Sequence, residues 1–168
     1  MRVREATTAD VESIRAVAAA SWERDYADLL TRDTVAAGVN DWYDEATLTG
    51  LVTGERTPVC VAEAAERAAG EGDVVAFAHG YVDGETGHVL RLYVHPERRR
   101  AGVGRRVLDA TVAALLERGT ERVDATVLAA NEQGRAFYEA QGFEQVGVAE
   151  TTIGGEAYPE CRYRLDAP

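Results

Sequence analysis

The chain has 168 residues, and its 29 acidic and 18 basic side chains give a formal net charge of −11 at pH 7. This length suits one domain over residues 1–168, large enough to bury a core without disulfide or metal support. The acidity disfavours a nucleic-acid partner, which requires a basic stripe. Because the sequence has neither an apolar run of about 18 residues nor a signal-peptide pattern, we expect a cytoplasmic protein with no membrane partner.

The first third of the chain predicts mainly helices. Thr7 and Asp10 resemble a capping box, in which each residue satisfies a backbone amide of the other at the start of a helix. Apolar residues then recur at helical spacing between Val11 and Ala18. The predicted elements are a strand at 1–6, a helix from Thr7 toward Trp22 or Tyr26, a break near Leu30, helices at about 33–37 and from about Asp44, and a strand at 57–62.

The rest of the chain alternates between strand and helix patterns. An Ala-, Glu- and Gly-rich stretch at 63–73 is interpreted as a surface excursion. Asp83 and Gly84 supply the turn of a hairpin. The predicted elements are strands at 74–82 and 88–94, a helix at 103–118, a strand at 122–129, a helix at 132–141, and a hairpin of strands at 143–152 and 157–165. The order predicts one α/β domain with about seven strands and four or five helices.

One dense basic, glycine-containing segment interrupts this acidic sequence at residues 97–106. The strand before it ends at Pro96, and Val103 and Val107 begin a helical repeat, so the glycines fall at a strand-to-helix junction. The first amides of a helix have no intrahelical partner, and the helix dipole adds positive charge there. Gly102 and Gly104 leave room for close approach. The segment therefore predicts a site for a phosphate-bearing ligand.

Two common phosphate loops fit this segment poorly. A Walker A loop ends in a lysine followed by serine or threonine, and the chain contains no lysine. A dinucleotide-binding GxGxxG loop that starts at Gly102 would need a glycine where Val107 stands. Both types of nucleotide-binding protein are therefore disfavoured.

Two sequence motifs at the expected separation indicate the function of the segment. Arg99, Gly102 and Gly104 fit the pattern RxxGxG, and downstream lie Asn131 and the run AFYEAQGF at 136–143. Together they resemble the acetyl-CoA signature and the following element of the GNAT family of N-acetyltransferases. The resemblance implies the GNAT acyl-CoA N-acyltransferase fold, a mixed, mostly antiparallel sheet of about seven strands flanked by four to five helices. It also implies acetyl-CoA as cosubstrate, an amine as acceptor and a possible homodimer.

The same resemblance assigns cofactor-binding residues. The strand before the loop would bulge and offer backbone groups to the pantetheine arm, and the Val94 N–H would stabilise the thioester oxygen. Asn131 would contact the arm while capping the next helix. The implied cofactor-binding residues are Leu92, Tyr93, Val94, Arg99, Arg100, Ala101, Gly102, Val103, Gly104, Arg105, Asn131, Phe137 and Tyr138.

Acid and base roles follow from the resemblance with unequal clarity. The family's tyrosine at Tyr138 lies beside the CoA sulfur, and a phenol with a pKa of about 10 can protonate the departing thiolate. Many relatives carry a glutamate base at one of two strand positions, where this chain has His88 and Thr126. His88 could take the ammonium proton through water, with His79 as a second candidate. The alternatives are an exposed hairpin histidine and an amine that loses its proton unaided. Thr126 also disfavours the ribosomal-protein N-terminal acetyltransferase subtype.

The acceptor is open at this stage. Aromatic residues in the segment that walls the acceptor groove in relatives could form a face for a cation or belong to the core; these are Trp22, Tyr26, Trp42 and Tyr43. Acidic neighbours could attract a polyamine or belong to a generally acidic surface. Three functions remain: an acetyltransferase for a polyamine or other small amine, a protein N-terminal or lysine acetyltransferase, and a non-catalytic acetyl-CoA sensor. A groove closed by residues 151–161 favours the small molecule, and an open groove favours a peptide.

Two further expectations come from composition. Cys60 and Cys161 lie in predicted strands with no second cysteine or histidine at ligand spacing, so we expect buried thiols and no metal site. All 18 basic residues are arginine, and this acidic composition resembles that of haloarchaeal proteins. Such a surface suits a medium in which salt screens charge over a few ångströms.

Overall fold

The computed structural model describes residues 1–25, 31–64 and 73–167. Its strands and helices are β1 (Arg2–Glu5), α1 (Val11–Asp25), α2 (Arg32–Trp42), α3 (Glu45–Thr53), β2 (Val59–Glu63), β3 (Val74–Asp83), β4 (Thr86–Val94), α4 (Val103–Glu117), β5 (Arg122–Leu128), α5 (Glu132–Ala140), β6 (Glu144–Ile153) and β7 (Glu156–Asp166). The predicted helix end at Tyr26, the break near Leu30 and most of the 63–73 excursion lie outside the described residues.

The strands form one seven-stranded sheet in the order β1-β2-β3-β4-β5-β7-β6. Every neighbouring pair is antiparallel except β4 and β5, which run parallel because α4 crosses between them. With five helices in the described ranges, this confirms the predicted mixed, mostly antiparallel α/β fold.

Helix α2 is longer than the sequence predicts. Its start is capped by Thr31, whose side chain accepts a hydrogen bond of 3.1 Å from the Thr34 amide. The sequence predicted a helix over about residues 33–37. That end was wrong, because Gly38 lies inside the helix and allows it to pack closely on Trp22.

A hydrophobic core lies on each face of the sheet. Helices α1, α2 and α3 cover one face, where Trp22, Tyr43 and Phe77 are at most 2% exposed. Helices α4 and α5 cover the other face, and Leu115 of α4 sits directly over Gly87 of β4. A Cβ atom at residue 87 would lie 3.0 Å from the Leu115 Cβ, so the glycine sets the close approach of helix and sheet.

The sheet opens between β4 and β5. These strands pair only from Thr86 to Val89 and from Arg122 to Ala125. At the same point the register of β3 with β4 shifts, leaving Leu90 as an extra residue on β4. Beyond this bulge β4 pairs with β3 alone, while β5 continues along β7. The diverging strands leave an unpaired β4 edge facing a gap in the sheet.

The thiols are buried as expected: neither Cys60 nor Cys161 forms a disulfide, and both residues are at most 3% exposed. Within residues 1–25, 31–64 and 73–167, no group of three or more His, Cys, Asp or Glu side chains is arranged to hold a metal ion. In the same ranges, no helix combines the length and the apolar character needed to cross a bilayer.

Candidate active site

A cavity of about 450 Å³ fills the gap between β4 and β5. It runs from the N-terminus of α4, past α5, to the face of the sheet covered by α1. Every predicted cofactor-binding residue lines it except Ala101, whose side chain is exposed on the loop. The sequence motifs thus converge on one volume, although they lie on three separate segments of the chain.

The loop before α4 is held in a specific backbone conformation. Arg100 and Gly102 both have positive φ, 63° and 75°, the region that glycine adopts easily and other residues adopt at a cost. The Arg99 Nε donates to the Val94 carbonyl at 3.1 Å, which ties the loop to the end of β4. Arg100 and Arg105 line the cavity beside the first turn of α4. Helix amides and two guanidinium groups therefore surround the point where a phosphate would bind.

Gly104 has a packing role that the sequence did not indicate. A Cβ atom there would lie 3.3 Å from both Phe137 Cε2 and Val94 Cγ2, tighter than ordinary contact. The glycine thus allows the first turn of α4 to approach α5 and the end of β4, which narrows this end of the cavity.

The free edge of β4 presents backbone groups to the cavity. The His95 N–H donates to the Val75 carbonyl of the neighbouring strand at 2.8 Å. Since amides alternate sides along an extended strand, those of Val94 and Leu92 point away from that strand and toward the gap. The Val94 carbonyl already accepts from Ser21 Oγ at 3.2 Å and from Arg99. Its amide remains in the position expected of an oxyanion donor.

Asn131 caps α5, as predicted. Its Oδ1 accepts a hydrogen bond of 2.9 Å from the Gly134 amide, and the residue also lines the cavity. A Cβ atom at residue 134 would lie 2.7 Å from the Asn131 Nδ2. Gly134 therefore gives the capping side chain the space it needs at the cavity wall.

Tyr138 projects from α5 into the cavity and is 4% exposed. Its ring packs edge-on against Phe143 and stacks on Tyr163, with centroids 5.4 Å and 6.2 Å away. Burial raises the pKa of the Tyr138 phenol above its usual value, so the hydroxyl stays protonated at neutral pH. No hydrogen bond among the described residues involves this hydroxyl. Tyr138 therefore carries a proton at neutral pH and lines the cavity, two conditions that a proton donor must meet.

The two histidines considered as bases do not line this cavity. His88 lies in the paired part of β4, opposite Asp124 and stacked on Tyr81, because the strands separate only after Val89. His79 faces Arg91 across the β3–β4 ladder. Burial, assisted by Arg91, lowers the pKa of His79 to about 4. Its Nε2 is shielded from solvent and has no hydrogen-bond partner among the described residues.

The far end of the cavity is built by residues that motif analysis largely missed. Trp22 lines it but is 0% exposed and belongs to the same core as Tyr43, which does not line the cavity. Tyr26 and the side chain of Trp42 lie outside the described residues. Arg91, Thr126 and Glu160 complete this end. Burial raises the pKa of the Glu160 carboxyl and Arg91 opposes the rise.

Comparison with known proteins identifies the fold and its loop. The model of the acetyltransferase (GNAT) family matches residues 14–143, most of the chain. The chain belongs to this family. Acetyl-CoA is the cosubstrate of GNAT enzymes, and its pyrophosphate accounts for the arginines and helix amides at one end of the cavity. The resemblance inferred from the two motifs is confirmed.

Solved structures support the same fold. The chain is similar to the PaiA N-acetyltransferase of Thermoplasma acidophilum in complex with coenzyme A, with a TM-score of 0.79, 20% identity, and coverage of 95% of this chain and 96% of that one. It is also similar to a GCN5-related N-acetyltransferase of Rhodopseudomonas palustris, with a TM-score of 0.80, 21% identity, and coverage of 99% and 95%.

Sequence relatives point to different acceptors. A mycothiol acetyltransferase of Beutenbergia cavernae is 38% identical over 66 residues, 39% of this chain and 22% of the relative. The [ribosomal protein bS18]-alanine N-acetyltransferase of Escherichia coli is 32% identical over 96 residues, 57% of this chain and 62% of the relative. The chain spans less than two thirds of the length of either relative, and the two act on unlike acceptors.

Proposed function

We propose that the protein is an acetyl-CoA-dependent N-acetyltransferase that acetylates a primary amine of a small molecule by direct attack on the thioester. The observation that carries this proposal is that the α4 N-terminus, the free β4 edge and Tyr138 line one cavity. Each part suits one portion of acetyl-CoA and its reaction. The family membership of the chain adds to the argument.

Residues at successive positions along the cavity would bind different parts of acetyl-CoA. The α4 amides with Arg100 and Arg105 would hold the pyrophosphate. The β4 edge and Asn131 would hold the pantetheine arm, and the Val94 N–H would stabilise the thioester oxygen as it gains charge. Tyr138 would give its proton to the sulfur that leaves. Acetyl-CoA supplies the activated acyl group, and this chain orients it.

Contact between the β6–β7 hairpin and α2 supports a small molecule over a peptide. The tip of the β6–β7 hairpin packs on α2: Ile153 is 1% exposed within the core that contains Trp22. A Cβ atom at Gly154 would lie 3.3 Å from the Thr34 Cγ2. The hairpin and α2 thus meet around Trp22, which lines the acceptor end, and this contact favours a compact acceptor over an extended peptide.

A protein N-terminus is the second candidate acceptor. The similarity to the bS18-alanine N-acetyltransferase of Escherichia coli favours it. Thr126 argues against it, because the family resemblance implies that the ribosomal-protein subtype carries a glutamate at this position. The homodimer implied by the family resemblance stays a prediction. The cytoplasmic location and the salt adaptation suggested by composition also stay predictions.

Thiol release from acetyl-CoA tests the proposal. The wild type and Tyr138→Phe are assayed with polyamines, amino acids, aminoglycosides and short peptides, in dilute and in molar salt. Tyr81→Phe is the control, because that tyrosine stacks on His88 outside the cavity. We expect turnover on a small amine, a kcat about 10²–10⁴-fold lower in Tyr138→Phe, and no change in the control. Preference for peptides favours the second candidate, and acetyl-CoA binding without turnover on any amine identifies a sensor.

A further inference from the structure

Glu160 stands out among the residues around the acceptor end. Of the described residues that line the cavity, it is the one with a carboxylate, and no histidine lines the cavity in those ranges. The remaining titratable side chains in the lining are arginines and tyrosines, residue types that do not serve as bases near neutrality in their ordinary state. Glu160 is thus the lining side chain that can accept a proton near neutrality.

The sheet register fixes where Glu160 points. Glu160 pairs with Leu128 on β5, whose side chain belongs to the core beneath α1 and α2. Its neighbour Cys161 packs into the opposite core, under α5. Since side chains alternate along a strand, Glu160 faces the acceptor side of the sheet. Thr126 lines the cavity two residues before Leu128 and pairs with Arg162, so Glu160 lies diagonally across the β5–β7 ladder from the position where relatives carry a glutamate.

We propose that Glu160 is the general base that removes the ammonium proton of the acceptor, directly or through one water molecule. This inference rests on the proposed acetyl transfer. The base that many relatives carry on β5, at the position of Thr126, would in this chain lie on β7, the strand paired with β5. His88 cannot fill it from the paired part of β4, and no other carboxylate among the described residues lines the cavity.

The protons balance with Tyr138 as the acid. Glu160 takes one proton from the ammonium, and the nitrogen lone pair then forms a bond to the acetyl carbonyl carbon. The carbon–sulfur bond breaks, and the sulfur takes the Tyr138 proton. The second proton lost by the nitrogen returns to Tyr138, and Glu160 releases its own to solvent. The products are an N-acetyl amide, free thiol and one proton.

The surroundings of Glu160 tune it for this step. Burial of the carboxyl raises its pKa, and the nearby Arg91 guanidinium limits the rise. The residues of β6 on this face are Gly147, Ala149 and Thr151, none of which titrates. On this face of the neighbouring strands, the titratable or charged groups include Arg91 and Tyr93 on β4 and Asp124 on β5. On β7 itself they include Glu156, Tyr158, Arg162 and Arg164, with Glu156 bonded to Tyr158 and Arg164 to Asp124. Tyr138 lies across the cavity on α5. A carboxyl with a raised pKa accepts a proton from an ammonium group more readily than an ordinary one.

The test compares Glu160→Gln with Glu150→Gln. Glu150 is an exposed carboxylate on β6 opposite Pro159, so the control removes the same charge from the other side of the hairpin. Benzylamine and phenylhydrazine are assayed alongside the fastest amine from the panel. The two have similar shapes, but phenylhydrazine is largely unprotonated at neutral pH and needs no base to expose its lone pair.

We expect Glu160→Gln to lower kcat for benzylamine and the panel amine about 10²–10⁴-fold at neutral pH, with an unchanged dissociation constant for acetyl-CoA. The deficit shrinks for phenylhydrazine and at pH values above the pKa of the amine. The wild-type kcat should rise with pH through the Glu160 pKa, and the variant should lack that limb. Glu150→Gln should behave as wild type.

Three outcomes overturn the assignment. An unchanged kcat in Glu160→Gln removes the base role while leaving acetyl transfer intact. A deficit confined to KM identifies a binding carboxylate for the ammonium group. Absence of turnover by the wild type on every amine, despite acetyl-CoA binding, refutes the proposed function and the base role with it.

Discussion

Gly38 offers a sharp test of how α2 packs over the acceptor end. A Cβ atom at this position would lie 2.5 Å from Trp22 Cζ3 and 2.9 Å from Ile153 Cγ2. Both side chains are at most 1% exposed, so neither can yield into solvent. Gly38→Ala must therefore displace the indole ring, the hairpin tip or the helix itself.

Two opposing contributions set the magnitude. Overpacking of a full core costs about 1–3 kcal/mol, while replacing a helical glycine by alanine contributes about 1 kcal/mol of stability. Because the contacts at 2.5 Å and 2.9 Å involve buried rings and methyl groups, we expect the upper part of the cost and a net loss of about 1–2 kcal/mol. Trp22 lines the cavity, so KM for the acceptor should also rise, with little change in acetyl-CoA binding.

Gly50→Ala is the matched control. Gly50 lies in the middle of α3, is exposed, and has no atom within 4 Å of the place a Cβ would occupy. The same substitution there should stabilise the protein by about 0.5–1 kcal/mol. Urea unfolding at a fixed salt concentration measures both variants. If Gly38→Ala stabilises as much as Gly50→Ala, the close contact between α2 and Trp22 is refuted.

Three further perturbations test other parts of the molecule. Gly102→Glu places a carboxylate at the α4 N-terminus, at a residue with φ 75°. The acetyl-CoA affinity measured by calorimetry should therefore fall about tenfold or more. Gly84→Glu controls for backbone strain, because Gly84 is a turn glycine with φ 58° and open space around it; equal affinities in the two variants would contradict the loop assignment. The folded-state pKa of His79 is depressed to about 4, so the unfolded chain binds a proton that the native state excludes, and stability should fall by up to about 3 kcal/mol as pH drops from 6.5 to about 4. His79→Asn should remove this dependence of the urea midpoint and His95→Asn should keep it; identical profiles would argue against burial of the imidazole. With a net charge of −11, the thermal midpoint followed by circular dichroism should rise as salt is added, and a flat response would speak against repulsion as a limit on stability.

The cofactor end could be predicted because its determinants are local in sequence. Arg99, Gly102 and Gly104 lie within the loop and the first turn of α4, and Asn131 and Tyr138 lie within two turns of one helix. A short motif fixes both the residues and their relative geometry, since the loop and the helix start impose the backbone conformation. The structure then needs only to bring the two segments to the same gap in the sheet.

The acceptor end could not be predicted in the same way, because it depends on strand register. Glu160 reaches the cavity only through the pairing of β7 with β5, which sets both its depth and its face. His88 is excluded because β4 and β5 separate only after Val89. The family resemblance implied a bulge in this strand, but no residue pattern marks the position of the bulge. Non-local pairing was also the reason that the approach of Gly38 to Trp22 could not be seen in the sequence.

The distribution of charge suggests how an acidic protein can bind a polyanion. A net charge of −11 repels acetyl-CoA at long range, but exposed charges act weakly beyond a Debye length of about 8 Å at physiological ionic strength. Arg100 and Arg105 line the phosphate end of the cavity, where charge-assisted hydrogen bonds act at contact distance. Salt therefore weakens the long-range repulsion more than the contacts that hold the phosphates. The negative surface charge that favours solubility therefore does not prevent the positive charge at the loop from binding the phosphates.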